Sequence, residues 1–201
     1  MRFSMTSLPP ALDANALGAA VLAAFRFEFR RYKTLADGAL AQLSDAEWRH
    51  VPAPGANSAA VIVQHMVGNL RSRFTDFLTS DGEKPSRNRD QEFAAPASDA
   101  AVVALRQEWR AAWQLLFDLL DALQPADLLR TVPIRGEAHT VLAAVQRQVA
   151  HYAHHVGQLV QLARHLRGAE WQNLSVARGQ SQAFNEAMFG RGANSAAPSV
   201  V

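Results

Sequence analysis

The chain contains no cysteine, and that absence removes disulfides, thiolate metal ligands and a protein thiol nucleophile together. Any thiol chemistry would have to use an external thiol. Nor is there an apolar run long enough to span a bilayer, and Met1 to Pro10 has no signal-peptide pattern, so a soluble cytoplasmic protein without a membrane partner is expected. Charge of one sign is scarce too. The formal net charge is only +2, and arginines are interleaved with Asp and Glu. The basic spots Arg30-Arg31 and Arg87-Asn88-Arg89 lack the interleaved aromatics of a single-strand binder, so nucleic acid is not an expected partner. β-Branched runs are rare, while alanine and leucine abound and glycine and proline gather between segments. That balance predicts an all-α fold.

The 201 residues suit one domain with a core of its own. Four long helical segments are predicted. The first spans about 13–43, with Leu17, Val21, Leu22, Phe25, Phe29 and Tyr32 at helical spacing. Ser44-Asp45-Ala46-Glu47 has capping-box form and starts a short extra turn, ended by Pro52 and Pro54-Gly55. The second long helix starts at an N-cap of Asn57 or Ser58, runs to about Thr79 and carries His65. A polar loop over 81–96 follows, and loops of that length are often functional. Ser98 caps the third helix, whose stripe of Val102, Leu105, Trp109, Trp113, Leu116 and Leu120 ends before Pro125. A small hairpin is expected over 131–139, then the fourth helix over about 140–166, closed by Gly168. Helices of this length and connectivity fit an antiparallel bundle. Residues 1–12 are read as a flexible N-terminus, 13–170 as the bundle, 171–189 as an extension docked on it, and 190–201 as a disordered tail.

The chemistry-bearing pattern is His151-Tyr152-Ala153-His154-His155. Residues four apart share a helix face, so His151 and His155 can aim two imidazoles at one point, while His154 projects almost opposite the apolar stripe of Val145, Val149, Tyr152, Val156 and Leu159. On the second helix His65, Asn69, Ser72 and Asp76 form a polar line beside an apolar face. Facing seams would give three neutral imidazoles with a coordination position left open, the pattern of a catalytic divalent metal. Asp76 would then act beside the metal as a supporting group or base. The bland alternative is that His151 and His155 are two partly exposed side chains; His50, His139 and His165, near segment ends, suit solvated or capping roles.

Asn57-Ser58 leading to His65-Met66-Val67-Gly68-Asn69-Leu70, followed by Asp81-Gly82-Glu83-Lys84-Pro85 and Arg87-Asn88-Arg89-Asp90, resembles a bacterial branch, of unknown function, within the DinB-like superfamily of metalloenzymes. The segment His151 to Leu159 is similar to that superfamily's last-helix motif, and Arg178-Gly179-Gln180-Ser181 with Phe184-Asn185 is similar to the branch's extension. The resemblance covers roughly residues 17–188. It implies a four-helix bundle whose divalent metal is held by one histidine of the second helix and an HxxxH pair of the fourth, matching His65, His151 and His155. The implied metal is zinc or nickel first, with iron or cobalt as alternatives.

The leading functional expectation is a transferase in which the metal activates an external low-molecular-weight thiol, such as bacillithiol, mycothiol or glutathione, for attack on an electrophilic small molecule. Arg73, Arg87 and Arg89 would hold a carboxylate of thiol or substrate; their plainer reading is solvated surface or ion pairs with Asp76 and Asp90. A metal-dependent hydrolase using Asp76 as base is the second expectation. A noncatalytic metal-binding or stress-response module, dimeric through the first and third helices, is the third.

Overall fold

The computed structural model describes residues 13–192. The expected flexible N-terminus, 1–12, and residues 193–201 of the expected 190–201 tail lie outside that range, while 190–192 close a helix instead. Six helices, α1 (Ala14–Leu40), α2 (Asp45–Arg49), α3 (Ala59–Phe74), α4 (Asp99–Ala122), α5 (Val141–Arg167) and α6 (Ser181–Gly192), dominate the described chain. The only strands among the described residues are β1 (Thr131–Ile134) and β2 (Glu137–Thr140), paired antiparallel with Thr131 opposite Thr140. The fold is therefore mostly helical, and among the described residues no helix is long and apolar enough to cross a membrane.

Each long helix starts where a short polar side chain takes up an otherwise orphaned backbone N–H. Asp13 accepts from Asn15, Ser58 from Val61, Ser98 from Ala101 and Thr140 from Ala143. Ser44 and Glu47 complete a reciprocal capping box on α2. The four long helices close a ring of contacts, α1 on α5, α5 on α3, α3 on α4 and α4 on α1. Their apolar faces meet at Phe29, Trp113 and Tyr152, whose rings are fully buried, with Phe29 edge-on to both neighbours at centroid distances of 6.5 and 5.9 Å.

Two boundaries bear on function. The second long helix ends at Phe74, five residues short of the expected Thr79. Thr75 is already extended, and Asp76 takes the left-handed conformation at φ 49°, with its carbonyl accepting from Thr79 and Ser80. Aspartate is one of the few residues that enters that region readily, so a turn competes successfully with further helix. Beyond it, the loop to Ser98 is tied to the hairpin. The Asp81 carboxylate accepts backbone N–H bonds from Glu83, Arg135 and Gly136 at 2.7, 2.8 and 2.8 Å, and Gly82 N–H donates to Pro133 O at 2.9 Å. At the C-terminal side, Trp171 and Leu174 pack on the core and Gln42 exchanges hydrogen bonds with the Gln172 backbone. Phe184 and Phe189 of α6 are 48% and 78% exposed.

Candidate metal centre

Helix α3 brings His65 into the interior, 5% exposed, on the same turn as the fully buried Met66. Helix α5 presents His151 and His155 one turn apart, both half-buried, while the intervening Tyr152 is anchored in the core by its hydroxyl, which donates to Asn69 Oδ1 of α3 at 2.9 Å. That bond crosses the seam between the two helices and registers their histidines against each other. His65 Nε2 lies 3.4 Å from His151 Nε2, and His155 Nε2 lies 3.1 Å from the same atom. One ligand atom from each of the three falls within 4.8 Å of the others. His154 is exposed and stands outside the group.

The partners of the outer ring nitrogens decide what faces inward. His65 Nδ1 is 2.9 Å from Glu92 Oε2, and a carboxylate only accepts, so Nδ1 carries the proton and Nε2 offers a lone pair. His155 Nδ1 donates in the same way to Gln158 Oε1 at 2.8 Å. Two lone pairs thus converge on His151 Nε2. A single proton there serves both poorly, and the other tautomer sets three lone pairs against one another. A cation satisfies all three. Two nitrogens each about 2.05 Å from a tetrahedral zinc stand about 3.3 Å apart, close to the two separations found. The donor set therefore fits a divalent metal.

Electrostatics point the same way. Burial pushes His151 down to about 3, with His155 and His65 adding to the effect. Burial also lowers His65, against the pull of Glu92, and lowers His155. The His65–Glu92 contact is accordingly a neutral imidazole donating to a carboxylate. Neutral histidines are the ligating form.

Glu92 is the buried neighbour of His65 that the sequence did not single out. It sits in the turn Gln91–Phe93 of the long loop, 6% exposed, held in a fork by Arg87 at 2.6 Å (Nε to Oε1) and 2.9 Å (Nη2 to Oε2). Phe93, beside it, stacks on the His65 ring at 5.0 Å. The carboxyl reaches His65 by lying across Gly68, where an added Cβ would stand 2.5 Å from its carboxyl carbon. A signal existed in the chain: a glycine one turn beyond His65 marks a close approach, and Glu92 is the carboxylate nearest an aromatic in a loop already suspected of function.

The other expected residues divide. Arg73, Arg87 and Arg89 all line a cleft of about 200 Å³ bounded by His65 and His151. Arg73 and Arg87 are also paired inside the protein, Arg73 with Glu83 at 3.1 Å and Arg87 with Glu83 and Glu92. Asp76 is exposed and lines a different cavity of about 640 Å³, between α3, α4 and the loop, which meets the centre only through Arg87 and Glu92. The helical projection that placed it beside His65 fails because α3 stops before it. The larger cavity is lined by no histidine, so of the two it is the smaller cleft that reaches the histidine group. A family described as protein of unknown function (DUF1572) matches residues 16–180. No curated protein and no solved structure matches the chain.

Proposed function

Because the chain belongs to this family of unknown function, membership brings no activity with it, and we propose from the site itself that the protein is a divalent-metal enzyme acting on a small molecule. The observation that carries the reading is the convergence of three imidazole Nε2 atoms from α3 and α5 beside a solvent-reaching cleft. His65, His151 and His155 would hold the metal, and Glu92 would orient His65 and make it a stronger donor. The resemblance to the DinB-like superfamily and its four-helix bundle supports the same trio, and nitrogen donors suit zinc or nickel.

The chemistry a divalent cation supplies in such a place is acidification of a thiol or of water. A transferase using an external thiol is the better fit of the two. The carboxylates nearest the cleft, Glu92 and Glu83, are committed to Arg87, Arg73 and Arg135, and Asp76 stands elsewhere. No free carboxylate base is therefore left among the lining residues. A thiol, with a pKa near 8.5, needs far less help to ionise than water does. The chain's own part is to keep its imidazoles neutral, to hold them rigidly and to leave a cleft where the electrophile can approach.

Elemental analysis of purified protein tests the metal site. Near-stoichiometric zinc or nickel is expected in the wild type and in His154→Ala, with large losses in His65→Ala, His151→Ala and His155→Ala. Equal loss from His154→Ala would sink the assignment. Turnover of a chlorinated aromatic electrophile by metal-loaded protein with bacillithiol, mycothiol or glutathione then tests the reaction class; hydrolysis of ester substrates without any thiol-dependent turnover would reverse it.

A further inference from the structure

The cleft beside the histidines is walled by five arginines, Arg73, Arg87, Arg89, Arg135 and Arg147. Against them stand three carboxylates, among them Asp81, which is held by the backbone N–H groups of Glu83, Arg135 and Gly136. Glu92 is taken by Arg87, and Glu83 is shared among Arg73, Arg87 and Arg135. Arg89 and Arg147 are exposed, and among the described residues neither has a carboxylate within ion-pair distance. A surplus of guanidinium charge is thus concentrated beside three neutral histidines, where a bound divalent cation would add to it. Like charges gathered this closely raise the local potential and draw an anion in.

The exposed arginines Arg89, Arg135 and Arg147 come from three different elements. Arg89 comes from the long loop. Arg135 comes from the hairpin turn, where a non-glycine residue at φ 57° is held by the Asp81 carboxylate on its backbone N–H; such turns ordinarily take Asn, Asp or Gly. Arg147 comes from α5, four residues before His151, so Arg147, His151 and His155 form one line on that helix. The step from Arg147 to His151 is about 6 Å along the axis. Polar atoms around the cleft are also short of partners. Of the six buried side-chain polar atoms without a hydrogen bond among the described residues, three belong to residues of its lining: Arg73 Nε, a donor that suits an anion, His151 Nδ1, whose role follows its tautomer, and Gln148 Oε1, an acceptor that suits a donor on the same ligand. Arg73 and Gln148 are themselves 5% and 3% exposed.

We propose that this cleft is an oxyanion subsite: Arg89 and Arg147, helped by the terminal amino groups that Arg135 has left beyond its Nε contact with Glu83, bind a carboxylate or phosphate group of a small substrate, a few bonds from the atom that reacts at the histidines. The substrate class is therefore a compact anion. A guanidinium matches such a planar or tetrahedral oxyanion with paired N–H bonds, which a hydrated ammonium does not. Arg73 and Arg87 are the scaffold that holds the loop carboxylates in place, so the substrate contacts move to the exposed arginines. The proposal rests on the metal-site reading for where the reacting atom lies, but the anion site itself needs only the arginines.

Calorimetric titration of the full chain with inorganic phosphate and, separately, with succinate tests this, using metal-free and zinc-loaded protein. Wild type is expected to bind at least one of them, and the better ligand identifies phosphate or carboxylate as the recognised group. Arg147→Ala is expected to weaken binding about tenfold and Arg89→Ala/Arg147→Ala to remove it, with zinc content and melting temperature kept. Arg164→Ala, away from the cleft on the same helix, should bind like wild type. Failure of both anions to bind, or equal binding by wild type and the double variant, overturns the subsite. Anion binding by a chain that takes up no zinc would support the subsite while the metal reading fell, and zinc without anion binding would do the reverse.

Discussion

At the residue scale, Glu92 and Gly68 form a pair that neither makes sense of alone. Glu92 accepts from His65 and from Arg87, and it occupies the space that a side chain at position 68 would fill. Glu92→Gln removes the charge that strengthens His65 as a donor, so metal affinity is expected to fall about 10- to 100-fold. Gly68→Ala is expected to do the same by displacing the carboxyl, although position 68 touches no metal ligand through hydrogen bonding. Competition with a chelator of known affinity measures both, and wild-type affinity in either variant would remove Glu92 from the centre. The histidines were legible in the sequence because an i, i+4 pair is a local geometric fact. Glu92 was far less so, because its partner lies 27 positions away and the local hints were no more than its neighbour Phe93 and the small residue at Gly68.

At the element scale, the hairpin and the long loop act as one unit through Asp81. Three backbone N–H bonds, from Glu83, Gly136 and Arg135, hold its carboxyl down to about 2, below the usual 3.8. A depressed carboxylate contributes to the folded state above its unfolded pKa, and that contribution is lost as pH falls from about 4 through about 2. The amide resonances of Arg135 and Gly136 should therefore titrate together with a midpoint near 2. Asp81→Asn should abolish that titration and loosen the turn that carries Arg135. A midpoint near 4 for these amides would show that the latch does not hold. Helix starts were legible here, since Ser58, Ser98 and Thr140 cap as their side chains predict. The end of α3 was not, because Thr75 and Asp76 continue a helical pattern on paper but settle in a turn tied to Ser80 and Thr79.

At the scale of the whole molecule, the three histidines make the metal-free protein sensitive to acid. Their folded-state pKa values lie below the ordinary 6.5, so the unfolded chain takes up protons that the folded chain refuses. Stability is then undiminished above about 6.5 and falls as pH drops below it, continuing toward about 3 for His151. Thermal melts of metal-free wild type and His151→Asn between pH 7.5 and 4.5 check the sign. The wild type should lose more stability across that range than the variant, and parallel curves would count against a buried neutral His151. The aromatic centre of Phe29, Trp113 and Tyr152 should leave both proteins folded at the upper end of the range.

The amino-acid sequence alone settles the four long helices, their N-caps, the hairpin and the choice of His151 and His155 over His154, because periodicity and capping act within a few residues; the end of α3 and the helix α6 were not legible that way. The sequence also determined that any thiol must come from outside, since no cysteine is present. Packing alone sets His65 of α3 against that pair of α5 at 3.4 Å, puts Glu92 rather than Asp76 beside His65, and gathers Arg89, Arg135 and Arg147 on one cleft. Those meetings depend on how loop, hairpin and helices pack together, and the energy that selects them is spread over the core rather than written at any one position.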